Sequence, residues 1–106
     1  MKTRPSRSTP LPVKRGLTGM GEDLATWRRL RRLTVAEVAD RAGVGVSTVS
    51  RLENGDGASL SNTLAIARAL GVLDLLAGAL DPYETDLGRA RADEALPQRV
   101  RRKATS

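Results

Sequence analysis

The segment from Thr34 to Gly55 constrains the fold of this chain most, because it contains two short helical patterns joined by a glycine. It reads TVAEVADRAGVGVSTVSRLENG. Thr34 and Glu37 match the Ser/Thr-x-x-Glu pattern of a capping box, in which each side chain accepts a hydrogen bond from a backbone N–H at a helix start. Gly43 can adopt the left-handed conformation that ends a helix tightly. The first pattern therefore predicts a helix that begins at residue 35 and ends near Gly43.

The second pattern, VSTVSRLEN, predicts a helix that ends at Asn54 and Gly55. Two helices that cross steeply at a short turn need small or apolar residues where they pack. The sequence places such residues on the inner faces of both helices: Val38, Ala39, Ala42, Val44, Val49 and Leu52. With a glycine at the turn, this set is typical of a helix-turn-helix motif.

Three further helical patterns flank this motif. Residues 22–33 place four apolar side chains near helical spacing, namely Leu24, Trp27, Leu30 and Leu33. The stretch SNTLAIARALG predicts a fourth helix that ends at Gly71, with Leu64, Ala67 and Leu70 on one face. A fifth, LDLLAGAL, is apolar on more than one side and is expected to end at Pro82. We therefore expect an all-α, compact five-helix domain over residues 22–80.

The two ends of the chain differ from this domain in composition. Residues 1–21 contain five basic residues, no acidic residue and three prolines, so they are predicted to be a disordered basic N-terminal arm. Such an arm is compatible both with phosphate contacts and with a simple solubilising role. Residues 81–106 are predicted to be a charged C-terminal extension with a weak helix and a basic end.

The overall composition excludes several classes of protein. A chain of 106 residues forms one domain, and it has no cysteine and no histidine, so we expect no disulfide, no transition-metal site, no cofactor and no enzyme activity. The N-terminus lacks the apolar stretch of a signal peptide, and no run is long enough to span a bilayer, which predicts a cytoplasmic location and no membrane partner. The net charge of +6 favours a polyanion as partner, while 2% aromatic residues argue against single-strand binding by base stacking.

Residues 24–80 resemble the Cro/C1-type (XRE) family of DNA-binding proteins, and the segments that carry the resemblance are LTVAEVADRAGVGVSTVSRLENG and SLSNTLAIARALGV. The resemblance implies a lambda-repressor-like fold that binds a double-stranded DNA operator as a homodimer, on palindromic half-sites about one helical turn apart. It also implies a structural ion pair between Arg28 and Glu53. From spacing alone, Arg28 is equally compatible with being a solvated arginine.

The resemblance also assigns DNA contacts to individual residues. On the second motif helix it implies base reading by Val46, Ser47 and Arg51, and Arg51 is suited to bind the O6 and N7 atoms of guanine. Contacts to the DNA backbone are expected from a second set of polar residues: Thr48, Ser50, Asn54, Ser61 and Asn62. Thr48 and Ser50 are equally compatible with exposed helix positions that touch nothing.

Three residues depart from the family pattern. Val35 stands where many members have a glutamine that binds phosphate, Gly45 replaces a Ser or Thr cap, and Asp56 lies in a loop that lacks basic residues. These changes predict a weaker grip on the DNA backbone, shared with the basic arm and with the start of the fourth helix.

The end of the chain bears on dimerisation and on partners. Four leucines are candidates for a dimer surface, with the alternative that they belong to the core: Leu73, Leu75, Leu76 and Leu80. Residues 70–103 resemble, more loosely, the tails of small regulators encoded beside HipA-like kinase toxins. The resulting expectation is a dimeric repressor of its own operon that acts as the antitoxin of a HipA-like toxin. The alternatives are a phage or mobile-element regulator without a toxin, and a protein–protein adaptor.

Overall fold

The computed structural model describes residues 8–94, and the regular secondary structure of this part of the chain is all helical. The elements are α1 (Leu11–Leu30), α2 (Val35–Ala42), α3 (Val46–Glu53), α4 (Leu60–Ala69), α5 (Leu73–Gly78), a 3-10 helix (Pro82–Glu84) and α6 (Asp86–Ala90). The predicted all-α class is confirmed. Within the described range the chain forms two compact units, with the division between Leu76 and Ala77. No helix among residues 8–94 has the length and apolar character needed to cross a membrane.

The core of the first unit forms where α1 to α4 pack together. Its buried apolar residues are Leu24, Ala25, Val38, Ala39, Val49, Leu52, Ile66, Ala67, Leu70 and Val72. Of the six positions predicted to face inward in the motif, four are buried, while Ala42 and Val44 are half-buried against the same core. Ile66 and Val72 were not singled out from the sequence. Full burial of each large aliphatic side chain stabilises the fold by about 1.5–3 kcal/mol.

Helix α1 begins eleven residues earlier than predicted, at Leu11 instead of residue 22. The prediction of a disordered arm over residues 1–21 is therefore wrong for residues 11–21, whereas residues 1–7 lie outside the described part of the chain. Pro12 stands in the first turn of α1, where its missing N–H costs no hydrogen bond. The same stretch includes Thr18 and Leu17, which lie against Gly55 and Gly57 in the turn that follows α3.

Close backbone packing explains two of the glycines at this crossing. A Cβ atom on Gly21 would overlap the carbonyl oxygen of Leu52 and would lie 2.7 Å from that of Glu53. Gly55 has a φ of +87°, and a Cβ there would come within 3.0 Å of the Thr18 hydroxyl oxygen. The middle of α1, around Thr18 and Gly21, therefore lies directly against the end of α3 and the turn that follows it.

The helix termini follow the signals in the sequence. The Thr34 hydroxyl accepts a hydrogen bond from the Glu37 N–H at 3.0 Å, and the Glu37 carboxylate accepts one from the Thr34 N–H at 2.8 Å. These bonds to Thr34 lower the pKa of Glu37, because they favour its ionised form. Gly43 ends α2 in the left-handed conformation, with φ of 72°. At α4, Ser59 is the cap, since its hydroxyl accepts from the Asn62 N–H at 3.0 Å.

Two expectations about the flanking helices are wrong. Leu30 was expected to follow the helical spacing of Leu24, Trp27 and Leu33, but it is 68% exposed. Helix α5 ends at Gly78 instead of continuing to Pro82, because the Asp81 N–H turns back to the Gly78 carbonyl at 3.0 Å. Leu80 therefore lies beyond the helix.

The second unit, from Ala77 onward, contains the 3-10 helix and α6. The Thr85 hydroxyl caps α6 by accepting from the Gly88 N–H at 3.0 Å. The weak helix expected in the charged extension corresponds to α6, and residues 95–106 are outside the described range.

Candidate nucleic-acid interface

The turn between α2 and α3 is built from three residues, Gly43, Val44 and Gly45. The Val44 N–H donates to the Ala39 carbonyl at 3.0 Å, which closes the end of α2. Gly45 is the N-cap of α3 with extended backbone angles, and it supplies no side-chain hydrogen bond. The first N–H groups of α3 therefore remain available, and a helix N-terminus with free N–H groups attracts phosphate.

Helix α3 has a buried side and an exposed side. Val49 and Leu52 are 1% and 4% exposed, so they hold the helix in the core. Val46 is 51% exposed, and Ser47 and Arg51 are also exposed. The three residues predicted to read bases thus share the part of α3 that the core leaves free.

The chemistry of this exposed side is uneven. Arg51 makes no ion pair with any carboxylate among residues 8–94, so its guanidinium donors are free for a ligand. Ser47 offers one hydroxyl, and Val46 offers only an apolar contact such as that with a thymine methyl group. Thr48 and Ser50, which are predicted to contact the DNA backbone, are half-buried.

An ion pair fixes the end of α3 to α1. The Arg28 side chain donates from Nε to Glu53 Oε2 at 2.7 Å and from Nη2 to Glu53 Oε1 at 3.1 Å. Its Nη1 donates to the Leu33 carbonyl at 3.0 Å. The side chains of Arg28 and Glu53 are only 15% and 13% exposed. The hydrogen bond to Glu53 raises the pKa of Arg28, so the arginine stays charged at any physiological pH.

The other predicted backbone contacts lie at the end of α3 and the start of α4. Asn54 is the exposed C-cap residue of α3. Ser61 is exposed and Asn62 half-exposed in the first turn of α4. Sequence reasoning missed Ser59, whose hydroxyl both caps α4 and lies 3.4 Å from the Ser61 hydroxyl. The signal was present in the sequence, since a serine directly before the first residue of a helical pattern is a common N-cap.

Val35, which stands where many family members have a glutamine, is half-buried against the core. Its side chain thus contributes to packing at the start of α2. Between residues 8 and 94 no group of His, Cys, Asp or Glu side chains is arranged to hold a metal ion.

The four dimer candidates differ in exposure. Leu76 is half-buried and packs against the core, and Leu73 is also half-buried. Leu75 is 65% exposed on α5, whereas Leu80 is 89% exposed but lies outside this helix. Leu73 and Leu76 are thus the less exposed leucines of α5 and Leu75 is the exposed one, while the residues that form a dimer surface stay a prediction.

Comparison with known proteins places this geometry in context. Residues 24–75 match the family model described as Helix-turn-helix. The chain is also similar to the uncharacterized HTH-type transcriptional regulator RghRB of Bacillus subtilis (strain 168), with 29% identity over 85 residues. That similarity covers 80% of this chain and 56% of the relative, so the chain spans little more than half of the relative's length. No solved structure matches the chain significantly.

Proposed function

We propose, from the match of residues 24–75 to the Helix-turn-helix family model and their resemblance to the Cro/C1 (XRE) type, that the protein is a transcriptional regulator. It binds double-stranded DNA sequence-specifically in the cytoplasm. The observation that carries the proposal is the division of α3, with Val49 and Leu52 buried and Val46, Ser47 and Arg51 exposed. A helix held in this way can enter the major groove with its first turns toward the bases.

Arg51 is proposed to give most of the base discrimination, because it is the only charged side chain among the three base-reading candidates. A bidentate contact to guanine is worth about 1–3 kcal/mol against a wrong base. Val46 and Ser47 add smaller preferences. Thr48, Ser50, Asn54, Ser61 and Asn62 are proposed to contact phosphates and so to position the domain without reading sequence.

The test starts from the DNA upstream of the chain's own gene. Footprinting on this DNA would locate an operator, and anisotropy titrations would compare the operator with a scrambled duplex. Arg51→Ala is expected to weaken operator binding by about 1–3 kcal/mol and to change scrambled-duplex binding much less. Arg68→Ala, an exposed arginine in the last turn of α4, is the matched control of equal charge. Equal losses on both duplexes for Arg51→Ala would contradict the proposed base reading.

We further propose that the protein acts as a homodimer that represses its own operon. One short recognition helix gives limited affinity, and two copies on half-sites about 34–36 Å apart would increase it. The exposed Leu75 is the best supported of the four dimer candidates. Leu75→Lys is expected to separate the dimer in analytical ultracentrifugation and to weaken operator binding more than scrambled-duplex binding.

A HipA-like toxin is the proposed protein partner. The resemblance of residues 70–103 to tails of toxin-associated regulators motivates this part, and the second unit exposes Leu80, Tyr83 and Leu87. Deleting residues 81–106 is expected to abolish binding to a toxin encoded next to the gene while leaving most operator binding. If no such neighbour exists, the alternative is a phage or mobile-element regulator. An adaptor would show no operator preference and no effect of Arg51→Ala.

A further inference from the structure

The first two turns of α1 carry two cations, Lys14 and Arg15, that gain no stability from the helix dipole. Lys14 and Arg15 follow closely on the start of α1, where Pro10 gives no side-chain cap and the first turn has no acidic residue. The N-terminus of a helix already carries partial positive charge, so cations there are unfavourable and carboxylates are preferred. Arg41 and Arg68 differ, because they lie in the last turns of α2 and α4, where the helix dipole stabilises them.

The position of these cations follows from the contacts of the next turn of α1. Thr18 lies against Gly55, and Leu17 lies against Gly57, where a Cβ would be 3.5 Å from Leu17 Cδ2. Both glycines belong to the turn that follows α3. Lys14 and Arg15 precede Thr18 by four and three residues, so they share its side of the helix, about one turn or 5.4 Å further along.

Neither cation is neutralised within the described structure. Lys14 and Arg15 form no ion pair with any carboxylate among residues 8–94, including Asp56 in the neighbouring turn. Glu22 and Asp23, the nearest acidic residues along α1, lie about two turns away. The start of α1 therefore carries two cations without a carboxylate partner, about one turn from the contact with the loop that follows α3.

We propose that Lys14 and Arg15 bind phosphates of the DNA backbone next to those that Asn54 approaches, with α1 holding both cations in place. The inference rests on the proposed DNA-binding function and adds an element to it. Contacts of this kind do not depend on base sequence. They supply the backbone contacts that the loop around Asp56, which lacks basic residues, does not provide.

The salt dependence of binding to a mixed-sequence duplex tests the proposal directly. A plot of log Kobs against log salt has a negative slope, and each lost phosphate contact reduces the magnitude of this slope by about 0.9. Lys14→Ala and Arg15→Ala are each expected to reduce the slope by about this amount, and the double variant by about twice as much. Arg68→Ala, with the same loss of charge at the far end of α4, is expected to leave the slope unchanged. An unchanged slope for the double variant, or an equal change for Arg68→Ala, overturns the proposal.

A second pair of variants separates a fixed helix from a loose basic segment. Gly16 has open space around its Cβ position, so Gly16→Ala adds a methyl group without collision with other parts of the fold. Gly16→Pro breaks α1 between the two cations and Leu17 without changing charge. It is expected to reduce the slope nearly as far as the double variant, whereas Gly16→Ala should keep it. If Gly16→Pro binds like the unmodified protein, α1 does not position the cations and the proposal fails.

Duplex binding by the unmodified protein distinguishes a failure of the proposed function from a failure of the proposed role of α1. If it binds no duplex at low salt, the proposed function itself fails. If it binds duplex but the Lys14 and Arg15 variants show the same salt slope as Arg68→Ala, the failure is confined to the proposed role of α1. Thermal melting by circular dichroism should give a cooperative transition for Lys14→Ala, Arg15→Ala and Arg68→Ala, since all three side chains are exposed.

Discussion

Arg28→Ala is expected to cost about 3 kcal/mol of the free energy of unfolding. The substitution removes two charge-assisted hydrogen bonds to Glu53, at 2.7 and 3.1 Å, and a third to the Leu33 carbonyl. It also leaves the Glu53 carboxylate without its cation at a site that is only 13% exposed. Breaking a fully buried pair costs about 3–5 kcal/mol. Because water can still reach a small part of both side chains, the lower end of that range applies.

The consequence for a domain of this size is large. Small domains unfold with free energies of about 5–15 kcal/mol. A loss of about 3 kcal/mol corresponds to a fall in Tm of about 12–24 °C for a domain of 60–100 residues. Urea denaturation followed by far-UV circular dichroism measures the free energy, and a thermal scan measures the Tm.

A double-mutant cycle isolates the pair from other effects of the truncation. The cycle compares Arg28→Ala, Glu53→Ala and the double variant, and we expect a coupling energy of about 2 kcal/mol or more. Arg29→Ala, at the next position of α1, is exposed and should change stability by no more than about 0.5 kcal/mol. A cost below about 1 kcal/mol for Arg28→Ala, or a coupling energy near zero, would refute the reasoning.

Two further predictions concern glycines and pH. Gly21→Ala should destabilise the fold by about 1–3 kcal/mol in urea denaturation, because its Cβ meets backbone carbonyls that cannot move aside. Gly19→Ala, two residues earlier in open space, should stabilise it by about 0.5–1 kcal/mol; the same sign for both would contradict the packing argument. The pKa of Glu37 is lower in the folded protein than its ordinary value of 4.5. Its capping bonds therefore stabilise the fold fully above pH 4.5, and this stabilisation is lost as the pH falls through the folded-state pKa. Glu37→Gln keeps a capping side chain and should flatten the stability profile in this acidic range; an unchanged profile would show that the capping carboxylate does not set it.

Local signals explain why α2 and α3 could be predicted from the sequence. The capping box of Thr34 and Glu37 marks the start of α2, and Gly43 marks its end. The inner positions of both helices carry aliphatic residues at helical spacing, so hydrophobic periodicity identifies the faces that become buried. Which exposed residues touch DNA stays a prediction, since contacts depend on a partner as well as on exposure.

The start of the first helix was predicted wrongly, although Leu24 is buried and Trp27 and Leu33 pack against the core as expected. The face of α1 that contacts α3 carries few large apolar residues. Along α1 this face includes Thr18, Gly21, Leu24 and Arg28. Only one of these four is a large apolar residue, so the pattern of leucines pointed to Leu30 instead. The early start of α1 depends on Gly55 and Gly57, which lie far along the chain, and composition within residues 11–21 carries no sign of that contact.

The ion pair and the glycine crossing both hold α3 at its C-terminal end, and this separates anchoring from recognition. The anchoring atoms belong to Glu53 and to the carbonyl of Leu52, whereas Val46, Ser47 and Arg51 point away from the core. On the proposed base reading, exchanging those three residues should change operator preference without repacking the domain. Libraries varied at these positions should then differ in the sequence they bind while thermal stability stays nearly constant.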